Sequence, residues 1–330
     1  MSAIELQTLA EQLRSLPGLL SKRDIQEPAA VFEHHPFPEL GDASRLGDDT
    51  ALIPSQSGSL LLACEGMQPE LVMEDPWFAG WSAVLVNLSD IAAMGGRPLA
   101  LVNSVWGQGH VAAQQLLEGM RFACEKFAVP MVGGHTNNQS PYSALSVSVL
   151  GIADGLVLSA RAAQPGDALV LLIDGDGSFY RHYPFWDAAT NADPERLRAQ
   201  LSLLPKLAHA RIARAAKDIS MGGLVGTAVM FAEACSLRIT IELEAIPRPV
   251  GINELSWLSC FPSFGFLLAI PQSELLPLRE LVNLHPGLMC ESIGRFEEKS
   301  SGVWLEKDGQ THQLWSSMSP LTGFGAVVTS

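Results

Sequence analysis

The sequence is poor in positive charge. Its 330 residues hold 21 lysines and arginines against 35 aspartates and glutamates, a net charge of −14. Such a surface repels phosphate backbones and anionic lipid, which argues against nucleic acid or a membrane as partner. No apolar run approaches the roughly 20 residues that a bilayer-spanning helix needs. The opening residues, MSAIELQTLAEQLRSL, have the spacing of an amphipathic helix and not of a signal peptide, so a soluble, cytoplasmic protein is expected. The five cysteines (Cys64, Cys124, Cys235, Cys260, Cys290) contain no CxxC pair and are odd in number. A zinc site is therefore unsupported, and buried, reduced thiols are the expectation. There is no P-loop. Gly175-x-Gly177 lacks the third glycine of a dinucleotide-binding fingerprint. Internal repeats and low-complexity tracts are absent as well.

What remains is a chain that is 47% apolar and 17% charged, suited to a well-packed globular protein. Its length exceeds what one core comfortably supports, so two domains are expected, 1–160 and 161–330, with the boundary near the turn Ala163-Gln164-Pro165-Gly166-Asp167. Periodicity predicts helices over 3–16, 76–94, 111–127, 195–215, 222–235 and 272–283. It predicts strands over 59–64, 99–106, 129–133, 143–152, 168–173, 237–243 and 265–270. Gly133-Gly134 is read as the sharp end of its strand. Both halves mix strands and helices, so the class is α/β or α+β.

Four segments carry candidate chemistry. Gly47-Asp48-Asp49 puts two carboxylates side by side at a glycine turn, where they are either solvated or metal-bound. Asn87 and Asp90 lie on one face of an otherwise apolar helix, where a carboxylate is costly unless paired. The Gly95-Gly96 pair after it reads either as a helix cap or as room for a close backbone or ligand. Gly133-Gly134-His135-Thr136-Asn137 is a strand end followed by polar groups, a common place for ligand contacts. Lys217-Asp218-Ile219-Ser220-Met221-Gly222-Gly223 precedes an apolar helix, with Ser220 placed as its N-cap.

In this order the segments resemble the motifs of the aminoimidazole ribonucleotide synthetase (PurM-like) superfamily, over roughly residues 45 to 270. Asp90-x4-Gly95-Gly96-x-Pro98 is similar to its ATP signature, Gly47-Asp48-Asp49 to its metal-binding turn, and Pro262–Leu268 to a late glycine-rich strand. Gly134-His135-Thr136 and Asp218-x-Ser220-x-x-Gly223 look most like selenophosphate synthetase; thiamine-monophosphate kinase is the next nearest. The sequence departs from each. The first cysteine is Cys64, too late for selenide chemistry. Glu65 stands where relatives carry Asp, and Met221 where the kinase carries Asp. The ending Gly325-Ala326-Val327-Val328-Thr329-Ser330 lacks the terminal cysteine of the hydrogenase maturation relative.

The resemblance implies a two-domain PurM-like fold whose N-terminal mixed sheet pairs in a homodimer. It implies ATP and magnesium as cofactors, with metal ligands among Asp48 or Asp49, Glu65, Asp90 and Asp218. Asn87, Asp90, Gly95, Gly96, Gly134, His135, Thr136 and Asn137 would contact the nucleotide. Lys22 and Arg23, on a mobile N-terminal segment, would close over the γ-phosphate, with Asp218 completing the catalytic set. The implied reaction is phosphate transfer to, or activation of, a small metabolite. A selenophosphate synthetase-like or thiamine-monophosphate kinase-like activity and a non-catalytic nucleotide-binding paralogue are the alternatives. The aromatic loop at Phe179–Trp186 reads either as a hydrophobic lid or dimer contact, or as a pocket for a planar or apolar substrate with an anionic group.

Overall fold

The computed structural model describes residues 3–32, 47–56, 58–298 and 302–323. The ending Gly325–Ser330 lies outside the described residues. In chain order the elements begin with α1 (Ala3–Arg14), α2 (Pro17–Leu20), α3 (Gln26–Phe32), β1 (Ala51–Ser55), β2 (Gly58–Gly66), α4 (Pro69–Glu74), α5 (Pro76–Ala93), β3 (Arg97–Gln108), α6 (His110–Phe127), β4 (Met131–Asn137) and β5 (Gln139–Ala153). They continue with β6 (Ala168–Asp174), β7 (Ser178–Phe179), β8 (Phe185–Asp187), α7 (Pro194–Leu201), α8 (Leu203–His209), β9 (Ala215–Asp218), α9 (Gly223–Cys235) and β10 (Arg238–Glu242). The last are α10 (Glu254–Ser259), β11 (Phe261–Pro262), β12 (Gly265–Ile270), α11 (Leu275–Val282), β13 (Leu288–Glu297), β14 (Gly302–Lys307) and β15 (Gln310–Ser316).

Two compact units result, and neither is contiguous. One holds residues 49–157 with 190–209; the other holds 1–48, 158–189 and 210–330. The continuous division at 160/161 does not describe them, for two physical reasons. The apolar stripe of α1 (Leu6, Leu9, Leu13) is buried in the same core as Leu169, Leu171 and Val303 of the C-terminal sheet. The segment carrying α7 is tied back to α6: the Lys126 ammonium donates to the Thr190 and Ala192 carbonyls at 2.6 and 2.8 Å, and Arg198 donates to the Lys126 carbonyl at 2.9 Å.

The first unit is built on a five-stranded sheet, β1-β2-β5-β3-β4, antiparallel except for the parallel β3/β4 edge. Helices α5 and α6 pack on each other and on this sheet. Their axes approach closely because a glycine sits on each. A Cβ at Gly80 would lie 2.1 Å from the Leu116 carbonyl oxygen, and one at Gly119 would lie 2.0 Å from that of Trp77. The other face of the sheet presents Leu62, Val102 and Leu150, which are 44%, 43% and 37% exposed. Strand β4 does not stop at its glycines. Gly133 and Gly134 pair with Val102 and Asn103 and the ladder runs on to Asn137, because both glycines are accommodated in extended backbone.

The second unit is built on a seven-stranded sheet, β15-β14-β10-β13-β6-β12-β9, with β10/β14 its one parallel pair. Every residue of β6 is buried, as its continuous apolar run requires. The helix expected over 195–215 ends at His209, and Ala215–Asp218 instead forms the edge strand β9 against β12. A separate three-stranded sheet, β11-β8-β7, collects the aromatic loop.

Candidate functional site

Helix α5 carries the most distinctive group. Asp75 caps it, accepting from the Phe78 N–H at 3.2 Å, and Pro76 starts it. Asn87 and Asp90 are 0% and 7% exposed. The Asn87 side-chain amide donates to the Ala83 carbonyl at 2.8 Å, which fixes its orientation. Its oxygen then accepts no hydrogen bond among the described residues, although it is buried. A buried acceptor left unmet costs about 1–3 kcal/mol, so such a group marks either strain or a ligand site. Amide and carboxylate oxygens are also the donor type that magnesium takes, so this pair fits a hard cation shared with phosphate.

The glycines after it follow the helix-cap and close-backbone readings of the sequence. Gly95 is left-handed at φ 74°, and its N–H bonds Ala92 O at 2.8 Å while the Gly96 N–H bonds Ile91 O at 3.0 Å. That is a Schellman helix end. A Cβ at Gly96 would lie 2.2 Å from Leu61 Cδ1 and 3.1 Å from the Ile152 carbonyl oxygen. The close approach that Gly96 permits is to the sheet.

Asp48 makes several contacts within its own unit. Its carboxylate accepts from the Ser159 hydroxyl at 2.6 Å, the Ala160 N–H at 2.9 Å and the Arg161 guanidinium at 3.2 Å. Both oxygens are engaged in anchoring the turn at 159–162. Asp49 lies in the other unit, beside Thr50, whose hydroxyl is buried and finds no partner among the described residues. Thr50 was not read from the sequence; its adjacency to the paired carboxylates was the available signal. Glu65 stands exposed near the end of β2, opposite Val147.

On the edge strand β4, Gly134 lies against Asn103: a Cβ there would be 2.7 Å from the Asn103 carbonyl and side-chain oxygens. His135 and Thr136 are exposed. Asn137 accepts from the Gln139 N–H at 2.9 Å and so shapes the β4–β5 turn. A cavity of about 460 Å³ in this unit, lined by Asn103, Met120, Cys124, Val129 and Met131, contains none of the expected site residues.

Lys22, Arg23 and Asp218 all belong to the second unit. Gly18 abuts the Met221 backbone, where a Cβ would meet the carbonyl oxygen at 2.1 Å, and Leu19 packs on Gly226. Lys22 and Arg23 follow in a 3-10 turn over Ser21–Ile25, and the Arg23 guanidinium lies 5.8 Å from the Trp315 ring centroid. Asp218 is buried at the end of β9. Ser220 does not cap α9. The N-cap is Gly222 without a side-chain cap, because the turn closes through Gly223 N–H to Ser220 O at 2.8 Å with Gly223 left-handed. Among the described residues no three His, Cys, Asp or Glu side chains gather to hold a metal on their own.

Two family descriptions match the chain: AIR synthase related protein, N-terminal domain, over residues 47–153, and the C-terminal domain over 164–305. The chain belongs to the AIR synthase related protein family. It is 42% identical to an uncharacterized protein of Synechocystis sp., covering 97% of this chain and 98% of that one. It is 27% identical to a selenide, water dikinase of Clostridioides difficile, over 78% and 71% of the two chains. In fold this AIR synthase related protein resembles AaThiL complexed with AMPPCP and TMP, at TM-score 0.64 and 22% identity, covering 87% of this chain and 92% of that one. The two-domain α/β fold is PurM-like, and the relatives include ATP-using enzymes. No helix among the described residues is long and apolar enough to cross a membrane.

Proposed function

We propose that this protein is a magnesium-dependent, ATP-using enzyme that phosphorylates or activates a small metabolite. The observation that carries the reading is the unmet, buried Asn87 oxygen three residues from buried Asp90 on α5. A family of ATP-using enzymes gives that acceptor an occupant: a magnesium ion shared with nucleotide phosphates. Asp90 and Asn87 would hold it, with phosphate oxygens and water completing its shell. Such an ion neutralises phosphate charge as phosphoryl transfer proceeds. The residues then have to align and desolvate, which needs little covalent chemistry from the protein. Asp48 is left out of this set because its oxygens are already satisfied.

The open face of the five-stranded sheet supports a homodimer, since Leu62, Val102 and Leu150 form an exposed apolar row across β2, β3 and β5. A second reading, a nucleotide-binding paralogue without turnover, is favoured by the loss of Asp48 to a structural role. Titration calorimetry with Mg-ATP tests the first step. Binding by the native protein that disappears in Asp90→Ala is expected; no binding by the native protein ends the proposal. ADP release on addition of a metabolite pool separates the enzyme from the silent paralogue.

A further inference from the structure

The residues from Phe179 to Trp186 do not form a loose lid. They are the hairpin β7–β8, extended by β11 in parallel register: Phe185 opposes Phe261, and Trp186 opposes Pro262 and Phe179. Backbone bonds pin the turn. The Tyr180 N–H reaches Phe185 O at 2.8 Å, the Tyr183 N–H reaches Tyr180 O at 3.1 Å, and the Phe261 N–H reaches Pro184 O at 2.7 Å.

The small sheet has two unlike faces. Inward, Trp186 is buried, crosses Phe179 and Trp257 edge-on at 5.5 and 5.0 Å, and donates from its indole to Asp174 O at 2.9 Å. Outward, half-buried Phe185 stacks on Tyr183 at 5.2 Å with planes 7° apart and meets Phe261 edge-on at 6.1 Å. The His182 ring lies 4.2 Å from Tyr183. Exposed Arg181 sits at φ 50°, a left-handed conformation that costs a non-glycine residue about 1 kcal/mol, and its guanidinium lies 5.3 Å from the Tyr180 ring centroid. Turns of this kind ordinarily carry Gly, Asn or Asp. This one spends backbone strain to hold a cation beside a rank of partly exposed rings.

The rank also has a defined neighbour. Helix α9 packs on β11 and α10, and Gly223 fits so tightly that a Cβ there would lie 2.6 Å from the Leu258 carbonyl oxygen and from Ser259 Cα. The aromatic face therefore lies in the same unit as the turn that follows Asp218.

We propose that the outer face of this three-stranded sheet binds the phosphate acceptor, a planar aromatic or heteroaromatic small molecule bearing a carboxylate or phosphate. The ring stacks along Tyr183 and Phe185, and Arg181 and His182 meet the anionic group. The acceptor role rests on the ATP-dependent reading above; the binding chemistry does not.

Ligand-observed NMR on the full chain tests this with indole-3-carboxylate and benzyl phosphate as probes, cyclohexanecarboxylate as the non-aromatic control, and AMP as competitor. Both aromatic probes are expected to bind, and cyclohexanecarboxylate to bind at least tenfold more weakly. The double variant Tyr183→Leu, Phe185→Leu should lose at least tenfold for both probes, and Arg181→Gln a comparable amount, with Mg-ATP titration unchanged in each. A stronger signal for one probe decides between carboxylate and phosphate. Aromatic probes no better than the control, or affinity unmoved in both variants, would overturn the proposal. AMP, a heteroaromatic phosphate of the proposed class, should displace the probes, whereas a change of oligomeric state in the double variant by sedimentation would overturn the proposal by making the face a contact between copies. If native protein binds the probes but not Mg-ATP, the function proposal fails and the aromatic site stands.

Discussion

Replacing Asn87 by leucine separates a ligand-binding residue from a structural one, because the two roles predict opposite signs. Asn87→Leu is close in shape. It removes one buried unmet acceptor, worth about 1–3 kcal/mol, and gives up one hydrogen bond, the 2.8 Å donation to Ala83 O, worth about 1 kcal/mol. The extra carbon volume in a fully buried position costs a fraction of that range again. The balance is a stabilisation of about 1 kcal/mol in the absence of ligand, or a rise in Tm of about 1–2 °C. Nucleotide has the reverse effect. Mg-ATP at about 100 times its Kd should stabilise the native protein by about 2.7 kcal/mol, and the variant should lose most of that gain. Scanning fluorimetry with and without Mg-ATP reads both quantities in one experiment. A variant that melts several degrees lower and keeps the full nucleotide shift would show that Asn87 serves the fold, and the site would have to be sought elsewhere.

Three further outcomes follow from the geometry. Gly96→Ala, which drives a methyl into Leu61 and the Ile152 carbonyl, should destabilise by about 2–3 kcal/mol; Gly95→Ala, which only strains a left-handed C-cap, should cost about 1 kcal/mol. Urea unfolding ranks them, and the reverse order would contradict the assignment of the two glycines. Asp48→Ala should lower stability by about 2–3 kcal/mol by stranding Arg161 and the turn at 159–162, yet leave Mg-ATP affinity within about twofold; a large affinity loss at unchanged stability would restore it as a metal ligand. Burial pushes the thiols of Cys235, Cys260 and Cys290 up to about 12. A raised thiol stays protonated at every pH below that value, so about one in ten thousand of each is thiolate at pH 8, and reactivity grows only as pH climbs toward 12. Iodoacetamide followed by mass spectrometry should therefore label exposed Cys64 first and leave those three intact until the protein unfolds.

The sequence carried the elements whose signals are local. Helix α5 was legible at both ends because Asp75-Pro76 starts it and Gly95-Gly96 stops it, and strand β12 was legible because its six apolar residues form one unbroken run. Reading failed where glycine was taken as a terminator. Gly133 and Gly134 sit in extended backbone inside β4, and only their pairing with β3, some 30 residues earlier, holds them there. It failed again at 210–218, where apolar content suited a helix as well as a strand and the sheet edge beside β12 decided the matter. Cysteine burial was half right: Cys260 is buried, but Cys64 is exposed on the open face of its sheet.

The candidate site divides in the same way. Its motifs were visible as runs of residues, but the duty of each residue is set by partners that the run does not contain. Asp48 and Asp49 look equivalent in sequence; Asp48 is spent on Ser159, Ala160 and Arg161, more than a hundred positions downstream. The glycines that seemed to invite a ligand are consumed by a helix end and by Leu61. Asn87, the least conspicuous member of its motif, is the residue that the fold leaves with work to do. Its amide hydrogens are placed by Ala83 O, and its oxygen is then held in the interior with nothing among the described residues to receive. A chain selected only for stability would have put an apolar side chain there, so a function that needs an oxygen at that point is the more economical account of it.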